Sequence, residues 1–229
     1  MAKKTKITAS DIITFYMDYV VEHRIKPESV EDFAKLHQFD DVIFYEYFTS
    51  FKDLEKTIYN VLFENSLVIL KQSPEYYSFS KKDKLLSLYY TFFENLTLNQ
   101  EFVKQNLKGL ESQLKALSTF SSLKKSFTAF IGELNLETIS LNVNSIETIQ
   151  QKAIKESAWI QFLFIMKFWL DDTSETSEKT DILIEKSINT GVELLDTKSL
   201  YNIIDLAKFL YKEKVQEQTY ENDKKNSSF

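Results

Sequence analysis

Three glycines and two prolines in 229 residues leave this chain few places to turn. A sheet-rich protein reverses direction often and uses Gly, Pro, Asn and Asp to do so, whereas long helices need only occasional short polar connections. The scarcity predicts an all-α fold. A chain of 229 residues can bury its core as one helical domain or as a small head on a larger body. Cysteine is absent, which removes disulfides, thiolate metal sites and cysteine nucleophiles together and suits a reducing, cytoplasmic setting. The net charge of -6 argues against general affinity for nucleic acid or anionic membrane. The N-terminal MAKKTKITAS leads into an amphipathic pattern and not an unbroken apolar run, so neither a signal peptide nor integral membrane association is expected.

The chain opens with Lys3, Lys4 and Lys6, either a solvated terminus or an arm that reaches a phosphate backbone. Ser10 is the predicted N-cap of a first helix, with Ile12, Ile13, Tyr16, Met17, Val20 and Val21 on one face and an end near Arg24, ahead of Pro27. Ser29 caps a second helix whose Val30, Phe33, Ala34 and Leu36 are expected to face inward. His37 and Gln38 fill the connection. Asp40 caps a third helix, to which Val42, Ile43, Phe44, Tyr45 and Phe48 give bulk. Ser50 with Asp53 opens a long fourth helix through Leu54, Ile58, Val61, Leu62 and Ile69. Two short helices, a tight connection and a further helix make the outline of a helix-turn-helix DNA reader.

Phe33-Ala34, Phe39, Tyr45-x-Tyr47-Phe48-x-Ser50 and Leu54 resemble the N-terminal domain of TetR-family regulators, over roughly the first quarter of the chain. The resemblance implies a helical homodimer, with a helix-turn-helix head over 1–52 and a ligand-binding and dimerisation body over 53–216. The polar tail 217–229 is expected to be disordered on composition. A transcriptional regulator of this kind would pair with a second copy of itself, with operator DNA and with a hydrophobic small molecule or lipid. It would need no cofactor. The head residues that could meet DNA are Lys3, Lys4, Lys6, Tyr45, Tyr47 and Lys52.

The departures from the family pattern bear on function. Gln38 stands where the family usually has Gly, so a turn requiring positive φ would be made without glycine's freedom. Phe51 stands where the family usually has a phosphate-contacting Lys, and Lys52 is displaced by one residue, a rotation of about 100° on a helix. From Glu28 to Glu55 there are eight acids (Glu28, Glu31, Asp32, Asp40, Asp41, Glu46, Asp53, Glu55) against Lys35 and Lys52, a net -6 equal to that of the whole chain. The third helix meets phosphates with like charge. The alternative is therefore a TetR-fold protein that binds an apolar ligand, or docks a partner through its acidic, aromatic head, without touching DNA.

In the body, Gln72 to Glu75 is the predicted end of the fourth helix, and Ser80 with Asp83 opens a fifth holding Leu85, Leu88, Tyr89, Phe92 and Phe93. ELNLETISLNVN reads as a loop with helix ends, since one lone strand has no partner. The run AWIQFLFIMKFWL, Ala158 to Leu170, is too short for a bilayer, which needs about 20 residues, and predicts a helix buried on nearly all sides. Tyr89, Phe93, Phe127, Trp159, Phe162, Phe164, Met166, Phe168 and Trp169 are candidate pocket walls, with Gln161 and Lys167 as polar anchors, or else they are packed core. Asp171 and Asp172 read as a helix start or an acid pair. The phrase FWLDDTSETSEKTDILIEKSI is similar to the C-terminal domain of one bacterial TetR-like group, and more distantly to TetR-fold lipid-binding accessory proteins of ubiquinone biosynthesis. Thr180, Ile184, Ile188, Gly191 and Leu195 form one stripe, and Ile203, Ala207 and Leu210 belong to a second. Together they suit a four-helix dimer interface, or a monomer's own core. The chain has no P-loop, no Gly-rich dinucleotide turn and no HExxH, and His23 and His37 have no nucleophile partner, so no enzyme is expected.

Overall fold

The computed structural model describes residues 6–108, 118–136 and 144–195, except for the side chains of 144–147 and 149. Among these residues the regular structure is helical throughout: α1 (Ala9–His23), α2 (Val30–Leu36), α3 (Asp41–Tyr47), α4 (Phe51–Gln72), α5 (Lys81–Leu98), α6 (Gln100–Leu107), α7 (Ser121–Glu133), α8 (Asn144–Asp171) and α9 (Glu178–Leu195), with short 3-10 turns at Pro74–Ser78 and Glu175–Ser177. The fold is all-α.

Local chemistry starts most of these helices. The side chains of Ser29, Asp40, Ser50 and Ser80 each accept a backbone N–H from the first turn of α2, α3, α4 and α5, at the predicted caps. α1 starts earlier than expected. Its cap is Thr8, which exchanges hydrogen bonds with Asp11: the Thr8 N–H donates to Asp11 Oδ2 at 2.8 Å and the Asp11 N–H to Thr8 Oγ1 at 3.3 Å. That reciprocal pair satisfies two orphan donors where Ser10 would have satisfied one. Arg24, in the left-handed region at φ 59°, ends α1.

Helix α4 is the spine of the molecule. It packs against α5 and α7 in the body, α7 lies on α8, and α9 closes over α5 and α8. In the head, α1 touches α3 and α6, and α2 packs on α3. A continuous apolar cluster runs from Ile12, Tyr16 and Val20 through Leu54, Ile58 and Phe63 to Trp169 and Ile184.

Several faces differ from expectation. Leu36 and Ile69 point to solvent, since no described helix covers their side of α2 or α4. The apolar stretch of α8 is buried on one side only: Trp159, Phe162, Ile165, Met166 and Trp169 are in the core, while Ile160 and Phe164 are 67% and 59% exposed. An apolar helix records how much of its surface avoids water, not whether the cover comes from the same chain. Of ELNLETISLNVN, residues 137–143 lie outside the described residues, as does the expected tail.

Candidate functional site

The connection between α2 and α3 carries Gln38 at φ 58°, the left-handed conformation expected of a glycine there. Beside it His37 stacks on Phe15 of α1, with ring centroids 4.6 Å apart, and lies 4.7 Å from Phe33. Its Nε2 is buried with no hydrogen-bond partner, and burial pushes the imidazole below its ordinary pKa.

The outer surface of α3 presents Val42, Tyr45 and Glu46, with Asp41 half-buried beside them. Its cap Asp40 accepts the Val42 N–H at 3.0 Å. Of the candidate DNA residues, Tyr45 is 56% exposed, Lys6 and Lys52 are exposed, and the Tyr47 hydroxyl reaches the Ile7 carbonyl at 3.4 Å. Lys3 and Lys4 lie outside the described residues. Lys35 is drawn to Glu31 at 2.7 Å on α2. No cation stands on α3 itself.

Glu55, counted above among the acids of the head, is not part of that surface. It is 6% exposed, in the second turn of α4, where head meets body. Its Oε1 accepts hydrogen bonds from Tyr16 Oη of α1 at 2.6 Å and from Asn106 Nδ2 of α6 at 2.9 Å, and lies 2.6 Å from Lys26 Nζ in the α1–α2 connection. Tyr59 Oη donates to Asn106 Oδ1 at 2.9 Å. Burial, reinforced by the Glu55 charge, raises the pKa of both phenols, so Tyr16 and Tyr59 remain donors at neutral pH. The same face of α6 grips the end of α1: Glu101 pairs with the Arg24 guanidinium at 3.4 Å, and Gln105 Nε2 donates to the Arg24 carbonyl. Sequence reasoning passed over this clasp. Its signal was the placing of Glu55 in the buried stripe Glu55, Tyr59, Leu62, Ser66, where an acid requires partners.

In the body, the aromatic residues proposed as pocket walls come together and pack on one another, except Phe164 and Phe168, which face outward. Phe127 and Phe162 are 4.8 Å apart between centroids, Trp159 stacks on Phe162 at 5.3 Å, Tyr89 meets Phe162 edge-on at 5.6 Å, and Phe93 lies 6.3 Å from Trp169. Met166 is buried with them. Trp169 Nε1 donates to Thr97 Oγ1 at 3.1 Å. The Tyr89 hydroxyl is buried with no hydrogen-bond partner. Gln161 is half-buried, and Lys167 stands apart on the outside, where with Phe164, Phe168 and Lys179 it lines an open cleft of about 480 Å³.

Asp172 lies between α8 and α9. Its carboxylate accepts from the backbone N–H and the hydroxyl of Ser174 and from those of Thr180, at 2.6 to 2.9 Å. Burial works to raise its pKa, yet these four bonds prevail and hold it well below the usual carboxylate range. The residue is a staple between α8 and α9; the helix-start reading of the acid pair fails, because Asp171 ends α8 and α9 begins only at Glu178. Among the described residues no group of three or more His, Cys, Asp and Glu could hold a metal ion.

Of the dimer candidates, Ile184 and Ile188 are 0% and 1% exposed within the single chain, where α9 packs on α5. Gly191 and Leu195 are half-buried. A Cβ added at Gly191 would meet nothing within 4 Å, so among the described residues no helix approaches closely there. Ile203, Ala207 and Leu210 lie outside the described residues. No described helix is long and apolar enough to cross a membrane.

No curated protein matches the chain. A family model described as tetracyclin repressor-like, C-terminal domain, matches residues 84–210, from the first turn of α5 through α9 and beyond, which is more than half of the chain. With its all-α body in hand, the chain belongs to the tetracyclin-repressor-like family of regulators.

Proposed function

We propose that this chain is a dimeric regulator in which an apolar effector held by the aromatic body alters the attitude of the head. The observation that carries the reading is the clasp at Glu55: α4 runs from the head into the body, and Tyr16, Lys26 and Asn106 tie α1, its following loop and α6 to one carboxylate. Packed interfaces of this kind switch between discrete arrangements, so displacement of α5 or α7 against α4 is felt at α1. The Tyr89 hydroxyl, buried among rings and unpartnered, is the polar group that an effector could satisfy. Native mass spectrometry of the purified protein, with thermal shifts from fatty acids and quinones, tests this. A bound apolar ligand or a stabilising shift is expected, and a clean apo mass with no shift overturns the reading.

The second copy is proposed to cover the outer side of α8. Ile160, Phe164 and Phe168 recur there at steps of four, and large apolar side chains left open on one helix face mark an interaction surface. This differs from the stripe first expected for dimerisation, whose Ile184 and Ile188 serve the chain's own core.

A second reading of the output is favoured by α3. Operator binding asks that helix to approach phosphates, and it carries Asp41 and Glu46 with no base. The head then acts by docking a partner protein, and not by gripping DNA.

A further inference from the structure

We infer that the outer face of α3 is a docking surface for a basic protein segment, one that presents Lys or Arg beside an apolar anchor. The inference rests on the reading of the head as the output end of the molecule, and it names what that end receives. Three observations converge on this partner. Val42 and Tyr45 are 62% and 56% exposed, three residues apart on one side of the helix, which gives an apolar centre without cover from this chain. Glu46 and Asp41 flank that centre, and the helix carries no compensating cation. The nearest lysine on α2, Lys35, pairs with Glu31 at 2.7 Å and is attracted more weakly by Asp41, so Glu46 carries most of the open negative charge of this face. A nucleic acid or an anionic membrane would bring like charge to this face, whereas a cationic peptide brings the complement. The aromatic part adds selectivity. The Tyr45 ring is braced edge-on by Phe44, with centroids 5.5 Å apart, so a guanidinium or ammonium group can settle over a ring already held in position.

The test is selection from a displayed library of random peptides on the full chain, with counter-selection on a Tyr45→Ser/Glu46→Lys variant whose circular dichroism melt matches the wild type. Both residues are exposed, so the variant should keep the fold. Selected peptides should combine Lys or Arg with an aromatic or aliphatic residue, weaken as salt rises, and bind the variant at least about tenfold less tightly, the factor set by a change of about 1.4 kcal/mol. Neutral or acidic peptides, or equal binding to the variant, overturn the inference. A duplex from upstream of the chain's own coding region serves as the second probe. Saturable duplex binding that strengthens with Glu46→Lys also overturns the docking surface while leaving the head as an output end. Failure of peptides and duplex alike removes both.

Discussion

Replacing Glu55 by Ala is the perturbation that asks most of the head–body clasp. The substitution strips the acceptor from Tyr16 Oη and Asn106 Nδ2, and Tyr16 and Asn106 are fully buried. A buried donor left without a partner costs about 1–3 kcal/mol, so two of them predict about 2–6 kcal/mol; the cost of breaking a buried charged pair, about 3–5 kcal/mol, falls inside that span and is the loss expected. Lys26 adds little to that figure. Its side chain is 42% exposed and regains water when the carboxylate goes, whereas Lys26→Ala leaves the 8% exposed Glu55 carboxylate without its cation and should cost more than about 1 kcal/mol. Tyr16→Phe removes one donor and should cost about 1–2 kcal/mol. Urea titration of the four proteins, wild type, both single variants at Tyr16 and Glu55, and the double variant, gives the coupling between the two residues directly, expected at about 1–2 kcal/mol. The loss at Glu55 should appear as a fall in melting temperature of roughly 6–20 °C for a chain of this size. A Glu55→Ala variant within about 0.5 kcal/mol of wild type, or a cycle with no coupling, would refute the clasp as what ties α1 to α4 and α6.

Three further outcomes follow from single sites. Gln38→Gly should stabilise the head by about 0.5–1 kcal/mol in urea unfolding, since φ 58° strains a residue with a Cβ; destabilisation would mean that the turn is shaped by the Gln38 side chain. His37 has a folded-state pKa depressed by burial, with Asp18 and Glu22 opposing and His23 assisting, so its stabilising contribution is full above its unfolded value of about 6.5 and falls away as the pH drops below that. The stability of wild type relative to His37→Phe should therefore fall from neutral to mildly acid pH. Phe164→Asp should turn a dimer into a monomer in sedimentation velocity with an unchanged melt at low protein concentration, because the side chain is 59% exposed in the single chain.

What could be read from the residues was what is local. Ser29, Asp40, Ser50 and Ser80 act as caps because a hydroxyl or carboxylate two or three residues ahead of a free N–H needs no tertiary neighbour to find it. The strained turn at Gln38 was legible only through the resemblance, which puts a Gly at that position. Burial was less so. Leu36, Ile69 and Phe164 are as apolar as Phe33 or Phe162, and only the positions of other helices decide which side of each element stays wet. Glu55 escaped notice because a charge count treats every acid as surface, whereas its placing opposite Tyr16 and Asn106 is set by contacts 39 and 51 residues away in sequence. Of the aromatic residues grouped in the body, Tyr89, Phe93, Phe127, Trp159, Phe162 and Trp169 pack together while Phe164 and Phe168 face outward, and periodicity says nothing of whether rings touch one another or leave room between them.

The proposed output rests on a head of three short helices whose α3 has an acidic outer face. Titration of the full chain with duplex DNA from upstream of its own coding region, at low and then moderate salt, tests this most directly. A reader of phosphates loses affinity steeply with salt, with a logarithmic slope of about -0.9 for each phosphate neutralised, and a typical specific complex neutralises about 6–10 of them. With Asp41, Val42, Tyr45 and Glu46 facing outward on α3, no saturable binding with a steep slope is expected even at low ionic strength. A tight complex whose slope reports several phosphate contacts would contradict it.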